Sequence, residues 1–300
     1  LSQRQMYQIS LDPDTYNEDG NLSKVSYPTT KDGIQSLSYI YDENGWLQEI
    51  KGELHSKGQT TEKVLRSYTY DTFGRLVKTV TTDYKKNDQT KTITYTYDNV
   101  GNRLKEDDGT TTTSYTYNDG SVKDIHEKKG TAVEEVRQYD YDANGNQTDV
   151  KNTKTGEDQT YVYDAKTIKS GVRDKRRKDS GDLAEIYNGE GQRIQKIDGD
   201  ETINYYYQDG VVAYTTDTDG NQNSQNLIGT GGNVLVTERF QQNATQYYLY
   251  NKDIQGSTSS LVKEDGSADA IYQYTDFGET MIQGYDQAKN EVCYTGGIYD

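Results

Sequence analysis

The side chains that could do chemistry in this 300-residue sequence are 49 Asp and Glu, two His and one Cys, set against 33 Lys and Arg. With that many carboxylates, an acid/base pair of the glycosidase type drawn from spacing alone is chance. His55 and His126 lie 71 positions apart in polar stretches with no Gly-x-Ser-x-Gly phrase nearby, so exposed histidines are expected rather than a triad. Cys293, in the strand-like run Glu291-Val292-Cys293-Tyr294, has no partner for a disulfide or a Cys-rich metal site and is expected as a small buried hydrophobe. Asp12-Pro13-Asp14 and Asp217-Thr218-Asp219-Gly220-Asn221 lack the calcium-loop spacing, which places Gly sixth and Glu twelfth, so both are expected to be turns. The basic run Lys166, Lys169, Arg173, Lys175, Arg176, Arg177 and Lys178 could face an anion. No aromatic interleaves it, as a nucleic-acid stacking platform requires, and a solvated, mobile hairpin tip is expected. Asn21-Leu22-Ser23, Asn146-Gln147-Thr148 and Asn243-Ala244-Thr245 fit the glycosylation pattern, which has meaning only in a chain that meets a glycosylating secretory route. No catalytic residue, metal site or cofactor is assigned.

Composition narrows the classes further. The formal net charge is −16 and the pI 4.6, which disfavours the phosphate backbone of nucleic acid as a general partner. No apolar run approaches the roughly 18 residues a membrane helix needs. Without an initiator Met or a signal segment, the chain is expected to be a piece of something longer. Hydrophobic residues make up 31%, but they include 29 Tyr against 3 Phe. Without tyrosine the apolar fraction is about 21%, close to that of disordered chains. Tyrosine must therefore form the core, and each ring brings a hydroxyl that needs a partner or water. Rings that line a cargo or bind a glycan are the functional alternative. Their regular placement favours packing between neighbouring strands.

That placement is a repeat. Its phrase is Tyr-x-Tyr-Asp, two residues, Gly, a polar residue or Arg, any residue, then an aliphatic. The best copies are Tyr68, Tyr70, Asp71, Gly74 and Leu76, and Tyr95, Tyr97, Asp98, Gly101 and Leu104. Tyr39, Tyr41, Asp42, Gly45 and Leu47 form a third, and Tyr139, Tyr141, Asp142 and Gly145 a fourth. Looser copies include Tyr115/Tyr117/Gly120, Tyr187/Gly191, Tyr205/Tyr207/Gly210 and Tyr272/Tyr274/Gly278. Successive second tyrosines are 20 to 29 residues apart, except for one gap of 43 between Tyr207 and Tyr250. That gap holds its own turn at Asp217–Asn221, so a degenerate unit is expected there.

Residues i and i+2 of a strand share a face, so Tyr68 and Tyr70 should lie side by side, joined by Val64, as Ile93 should join Tyr95 and Tyr97. Asp followed three positions later by Gly marks a type I turn. Leu76, Lys78 and Val80 then alternate with Val77 and Thr79, again a strand period. Each unit is a β-hairpin, and many hairpins side by side make a wide sheet that twists and curls. The fold class expected is all-β, with tandem hairpins in one long, curved, spiralling sheet.

These residues resemble the YD repeats of Rhs proteins, wall-associated bacterial proteins, toxin-complex C subunits and teneurins. Tyr247-Tyr248-Leu249-Tyr250-Asn251-Lys252-Asp253, with Gly256, Ser257, Thr258, Leu261, Val262, Asp265, Gly266, Tyr272, Tyr274, Phe277, Gly278 and Glu279, is similar to the opening of the Rhs-associated core. Tyr294-Thr295-Gly296-Gly297-Ile298-Tyr299-Asp300 resembles the stretch that leads into that core's ending. The resemblance implies repeats over 1–246 and the start of the core over 247–300, continuous with the same sheet. It implies a hollow shell that encloses a C-terminal toxin domain, which is absent from this chain, as are the family's self-cleavage aspartates. No catalytic residue is carried over, and the segment is expected not to be an enzyme. A secreted or cell-surface bacterial protein, Gram-positive by its wall-associated relatives, is expected.

Two alternatives stand beside this one. A surface adhesin would present the same sheet to a cell-surface glycan. A choline- or glucan-binding solenoid needs a tryptophan in nearly every unit, and this chain has only Trp46. Open sheet edges would favour edge-to-edge self-association of the fragment.

Overall fold

Alternating strand residues and Gly-closed turns produce the expected class. The computed structural model describes residues 16–26, 33–163, 169–174, 183–241, 244–284 and 288–298. Asp12-Pro13-Asp14, Asn243, Tyr299, Asp300 and most of the basic run lie outside them. Twenty-three strands, from β1 (Lys24–Ser26) to β23 (Thr280–Gly284), occur among the described residues. They form two antiparallel sheets whose strand order is the chain order, one of thirteen strands and one of ten. No helix among these residues is long and apolar enough to cross a membrane. The chain divides into two compact units, 1–138 and 139–300.

In the first unit, β4 (Gln59–Tyr70), β5 (Leu76–Asp83) and β6 (Gln89–Tyr97) show the local logic. Tyr68 pairs with Thr79 and Thr79 with Ile93, placing these three across one face. Thr79 and Tyr95 are buried there, while Thr94 and Thr96 on the other side of β6 are exposed. Val64 departs from expectation. Ile50 pairs with Arg66 and Lys51 with Val64, so Leu65 is the extra residue of a bulge. Successive partners point to opposite faces, and Val64 therefore leaves the tyrosine side and is 38% exposed.

Turns alternate between the two ends of the strands. At the tyrosine end, the Gly74 N–H donates to the Asp71 carbonyl (3.0 Å) and the Asp71 N–H to the Arg75 carbonyl (3.0 Å). Gly74 adopts φ 79°, so the type I turn closes into a bulge that only a residue without Cβ enters freely. After Tyr117 and Tyr207 the same end is closed differently, by Asp119-Gly120 and Asp209-Gly210, all four residues having positive φ. Two-residue turns of this kind match the twist of the flanking strands.

In the second unit, β13 (Lys169–Asp174) pairs with β12 (Glu157–Tyr163). Part of the basic run is thus strand rather than the expected mobile tip, because its backbone completes the ladder. The gap of 43 holds β17 (Val211–Thr216) and β18 (Gln222–Ile228). Its degenerate unit is present, but the Asp217 turn closes the end away from the tyrosines. The tyrosine-end turn is Gly229–Asn233, with Ile228 where other units have Tyr and Gly229 where they have Asp.

Candidate functional site

The tyrosine pairs divide their labour. First members supply buried area: Tyr39, Tyr95, Tyr205, Tyr248 and Tyr272 are all below 8% exposed. Second members other than the buried Tyr250 are half-buried and reach into the preceding unit. The hydroxyls of Tyr41, Tyr70, Tyr97, Tyr117, Tyr207 and Tyr274 donate to the carbonyls of Leu22, Leu47, Leu76, Arg103, Arg193 and Thr258, at 2.6–2.8 Å. Each acceptor sits just past the previous turn, so every ring clamps two successive hairpins and satisfies its own hydroxyl. Tyr68 is half-buried on this face, and Tyr139 and Tyr141 are half-buried in the second unit. Burial raises the Tyr141 phenol above its ordinary value, assisted by Tyr139 and Tyr163.

The turn carboxylates act locally. Asp71 Oδ1 accepts the Phe73 and Arg75 N–H groups and Oδ2 accepts Arg75 Nε (2.7 Å). Desolvation alone would raise the Asp71 carboxyl, but these bonds outweigh it and hold it below the usual range. Asp98 behaves likewise through Asn102 and Val100, and Asp142 is held low by Asn146 first. Gly45, Gly74, Gly101, Gly145, Gly256 and Gly278 all occupy positive φ in these turns. Gly74 also lies under Trp46, whose ring a Cβ would meet at 2.7 Å, and Gly278 lies under Tyr294 in the same way. Asp253 Oδ1 accepts the Ser257 N–H (2.8 Å), and Asn251 Nδ2 bonds Ser260 Oγ (2.9 Å).

In the second unit a strap, residues 288–298, lies across the tyrosine face. The Ala288 N–H donates to Asp269 on β22 (Ala268–Tyr274) at 3.0 Å. Asn290 Oδ1 accepts Tyr250 from β20 (Ala244–Lys252) at 2.7 Å, in place of the carbonyl other second tyrosines use. The Val292 and Cys293 carbonyls accept Thr258 Oγ1 (2.6 Å) and N–H (3.0 Å) from β21 (Thr258–Lys263), and Ser257 Oγ accepts the Thr295 N–H (3.0 Å). Glu291 turns the other way. It accepts Tyr205 Oη (2.9 Å) from β16 (Glu201–Gln208), and Arg193 (3.1 Å) and Lys196 (3.4 Å) from β15 (Arg193–Asp198).

Those contacts dictate a shape for this sheet. Strands β15 and β21 are six ladder steps apart, about 29 Å on a flat sheet. Side chains stand roughly normal to a sheet, yet tips from both strands meet at consecutive residues whose Cα atoms are about 3.8 Å apart. The tyrosine face is therefore concave and the strap sits in the hollow. Ala288 and Cys293 of the strap pack with Val234, Tyr248, Tyr250, Leu261, Ala270 and Tyr272 of the sheet in one core cluster. Cys293 is 1% exposed. Lys252, beside the Tyr250 ring, has its ammonium pushed down by burial.

Sequence reading named the tyrosines and the turns, each tyrosine pair being placed by the structure on its own unit's sheet with the turn residues at the strand ends. It missed the strap's Asn290 and Glu291 and the notch of Arg193, Lys196 and Glu185. No local signal marks them, since partners lie up to 98 positions apart. His55, beside Thr60, and His126, on β9 (Ser121–Lys129), are both half-buried rather than exposed as expected, because each stands within a paired strand. Among the described residues no cluster of His, Cys, Asp and Glu could hold a metal ion.

Repeated tyrosine clamps, a concave sheet and an inserted strap define the architecture, and the family model described as Teneurin YD-shell matches residues 3–300. This chain belongs to the teneurin YD-shell family. The YD-shell chain is 30% identical over 264 residues to the tRNA3(Ser)-specific nuclease WapA of Bacillus spizizenii and to the tRNA nuclease WapA of Bacillus subtilis strain 168. Both matches cover 85% of this chain and 9% of the relative, so the chain spans under a tenth of those proteins. Its fold is similar to a chain in the structure described as "Crystal Structure of TcdB2-TccC3-Cdc42", with TM-score 0.61, 17% identity, and coverage of 95% of this chain and 17% of that one.

Proposed function

We propose that this YD-shell chain is a wall segment of an Rhs-type toxin, that it encloses an effector carried C-terminal to it, and that it has no catalytic role of its own. The observation that carries this reading is the concave tyrosine face, built by a repeat that can be extended unit by unit. The family match and the WapA relatives support it. WapA proteins are named as tRNA nucleases, and a shell segment spanning 9% of them leaves ample chain for a separate catalytic domain. In this reading residues 247–300 begin the core that closes the wall, and the protein is secreted or displayed at the surface of a Gram-positive bacterium. The net charge of −16 favours a basic cargo.

The test is limited proteolysis of the parent protein with its downstream domain in place. Enclosure predicts that the downstream domain is cut at least about tenfold more slowly than the same domain alone, the population opened to protease being what limits cleavage. Equal rates would overturn the proposal.

A further inference from the structure

We propose that residues 288–298 are a releasable clasp, locked by a carboxylate-binding notch that the strap fills with its own Glu291. The notch is built from residues outside the strap. Arg193 and Glu185 pair at 2.6 Å with side chains only 2% and 4% exposed. The Arg193 guanidinium lies 4.9 Å from the Tyr205 ring centroid, and the Arg193 carbonyl is held by Tyr207 (2.8 Å). All of these residues come from β14 (Leu183–Tyr187), β15 and β16.

What the notch offers is a second Arg193 nitrogen, Lys196 Nζ and Tyr205 Oη, converging on one carboxylate at 3.1, 3.4 and 2.9 Å. Among these named groups, Arg193 and Lys196 against Glu185 leave one net positive charge, which suits a monoanion with two acceptor oxygens. Burial first, then the Glu291 charge, pushes the Tyr205 phenol far up, so it stays a donor. The remaining strap contacts are hydrogen bonds to neutral or backbone groups, a few charge-assisted bonds, and the exposed Lys289–Glu201 pair. Glu291 is 26% exposed, so the lock meets solvent at its rim. Losing its charge takes one carboxylate from Arg193 and loosens the strap from β15 and β16. Cys293, the only cysteine, lies two residues away and reports the opening.

The test is the rate at which a thiol reagent labels Cys293 in the whole chain. Glu291→Ala should label at least about tenfold faster than wild type, as expected for breaking a largely buried charge pair. Formate should slow that labelling by refilling the notch, whereas chloride at equal ionic strength should not. An unchanged rate overturns the clasp, and a faster rate that formate leaves untouched overturns the notch as a carboxylate site. Lys196→Met keeps Glu291 in place and removes one rim donor. An increase of about threefold is expected for this partly exposed pair, and no increase overturns the lock even if the alanine variant fails to fold.

Discussion

The two units use one repeat to different ends. In the first, the buried hydrophobics among the described residues are Tyr39, Leu54 and Tyr95. In the second, eight buried residues, two of them from the strap, form a single cluster. The opposite faces differ as well. Across the first unit run Thr69, Lys78, Thr94, Asp107 and Thr112 as successive strand partners. Across the second run Leu227, Val236, Leu249 and Val262. The clamps alone thus give a sheet that is hydrogen-bonded throughout but only half-dry. A second layer over the same rings turns it into a packed core.

Removing that layer should have the largest effect. A chain ending at Gly284 is expected to lose cooperative melting of the second unit and to bind a hydrophobic dye. Trp46, which packs on Tyr70 in the first unit with centroids 5.5 Å apart, should melt as in the intact chain. A tryptophan transition that moved with the truncation would break the contrast between units.

Next in size is the ring itself. Tyr248→Ala, at 1% exposure, should cost about 3–5 kcal/mol in chemical denaturation, the range for deleting a buried aromatic. The half-buried Tyr68→Ala should cost less than half of that, and equal losses would show that burial under the strap adds nothing.

The clamps come third. Tyr70→Phe and Tyr274→Phe each remove one hydroxyl-to-carbonyl bond while keeping the ring, so each should cost about 1 kcal/mol in either unit. A loss confined to the second unit would mean that the bond matters only when covered.

The smallest effect concerns Asp107 in the first unit. Lys105, then the Gly109 N–H and Thr112 hydroxyl, pull its carboxyl down to about 2 from 3.8. A depressed folded-state pKa stabilises above the unfolded value and is lost as pH falls through the folded one. The stability difference between wild type and Asp107→Asn should therefore be constant above about pH 4 and fade towards pH 2. A difference that persisted at pH 2 would overturn this.

Local rules account for much of what was legible. Tyr68 and Tyr70 with Asp71 and Gly74 specify a strand and its turn, because side-chain alternation and a positive φ are properties of a few consecutive residues. Turn chemistry was harder where it changed: Gly229 replaces Asp, and its unit escaped the phrase. Val64 was misplaced because a bulge is decided by the neighbouring strand's register. The basic run concealed a strand for the same reason, as β12 supplies its ladder.

The sequence by itself determined that this is a tyrosine-built tandem hairpin array of the YD type, since period, ring and turn residues repeat within reach of one another. Only the tertiary structure decided that the second sheet bends until β15 and β21 meet one strap, that Glu291 finds Arg193, and that Cys293 of the strap is buried against the sheet. Those contacts join residues from 34 to 98 positions apart. Curvature sums small twists over many strands, and no short window of residues encodes that sum.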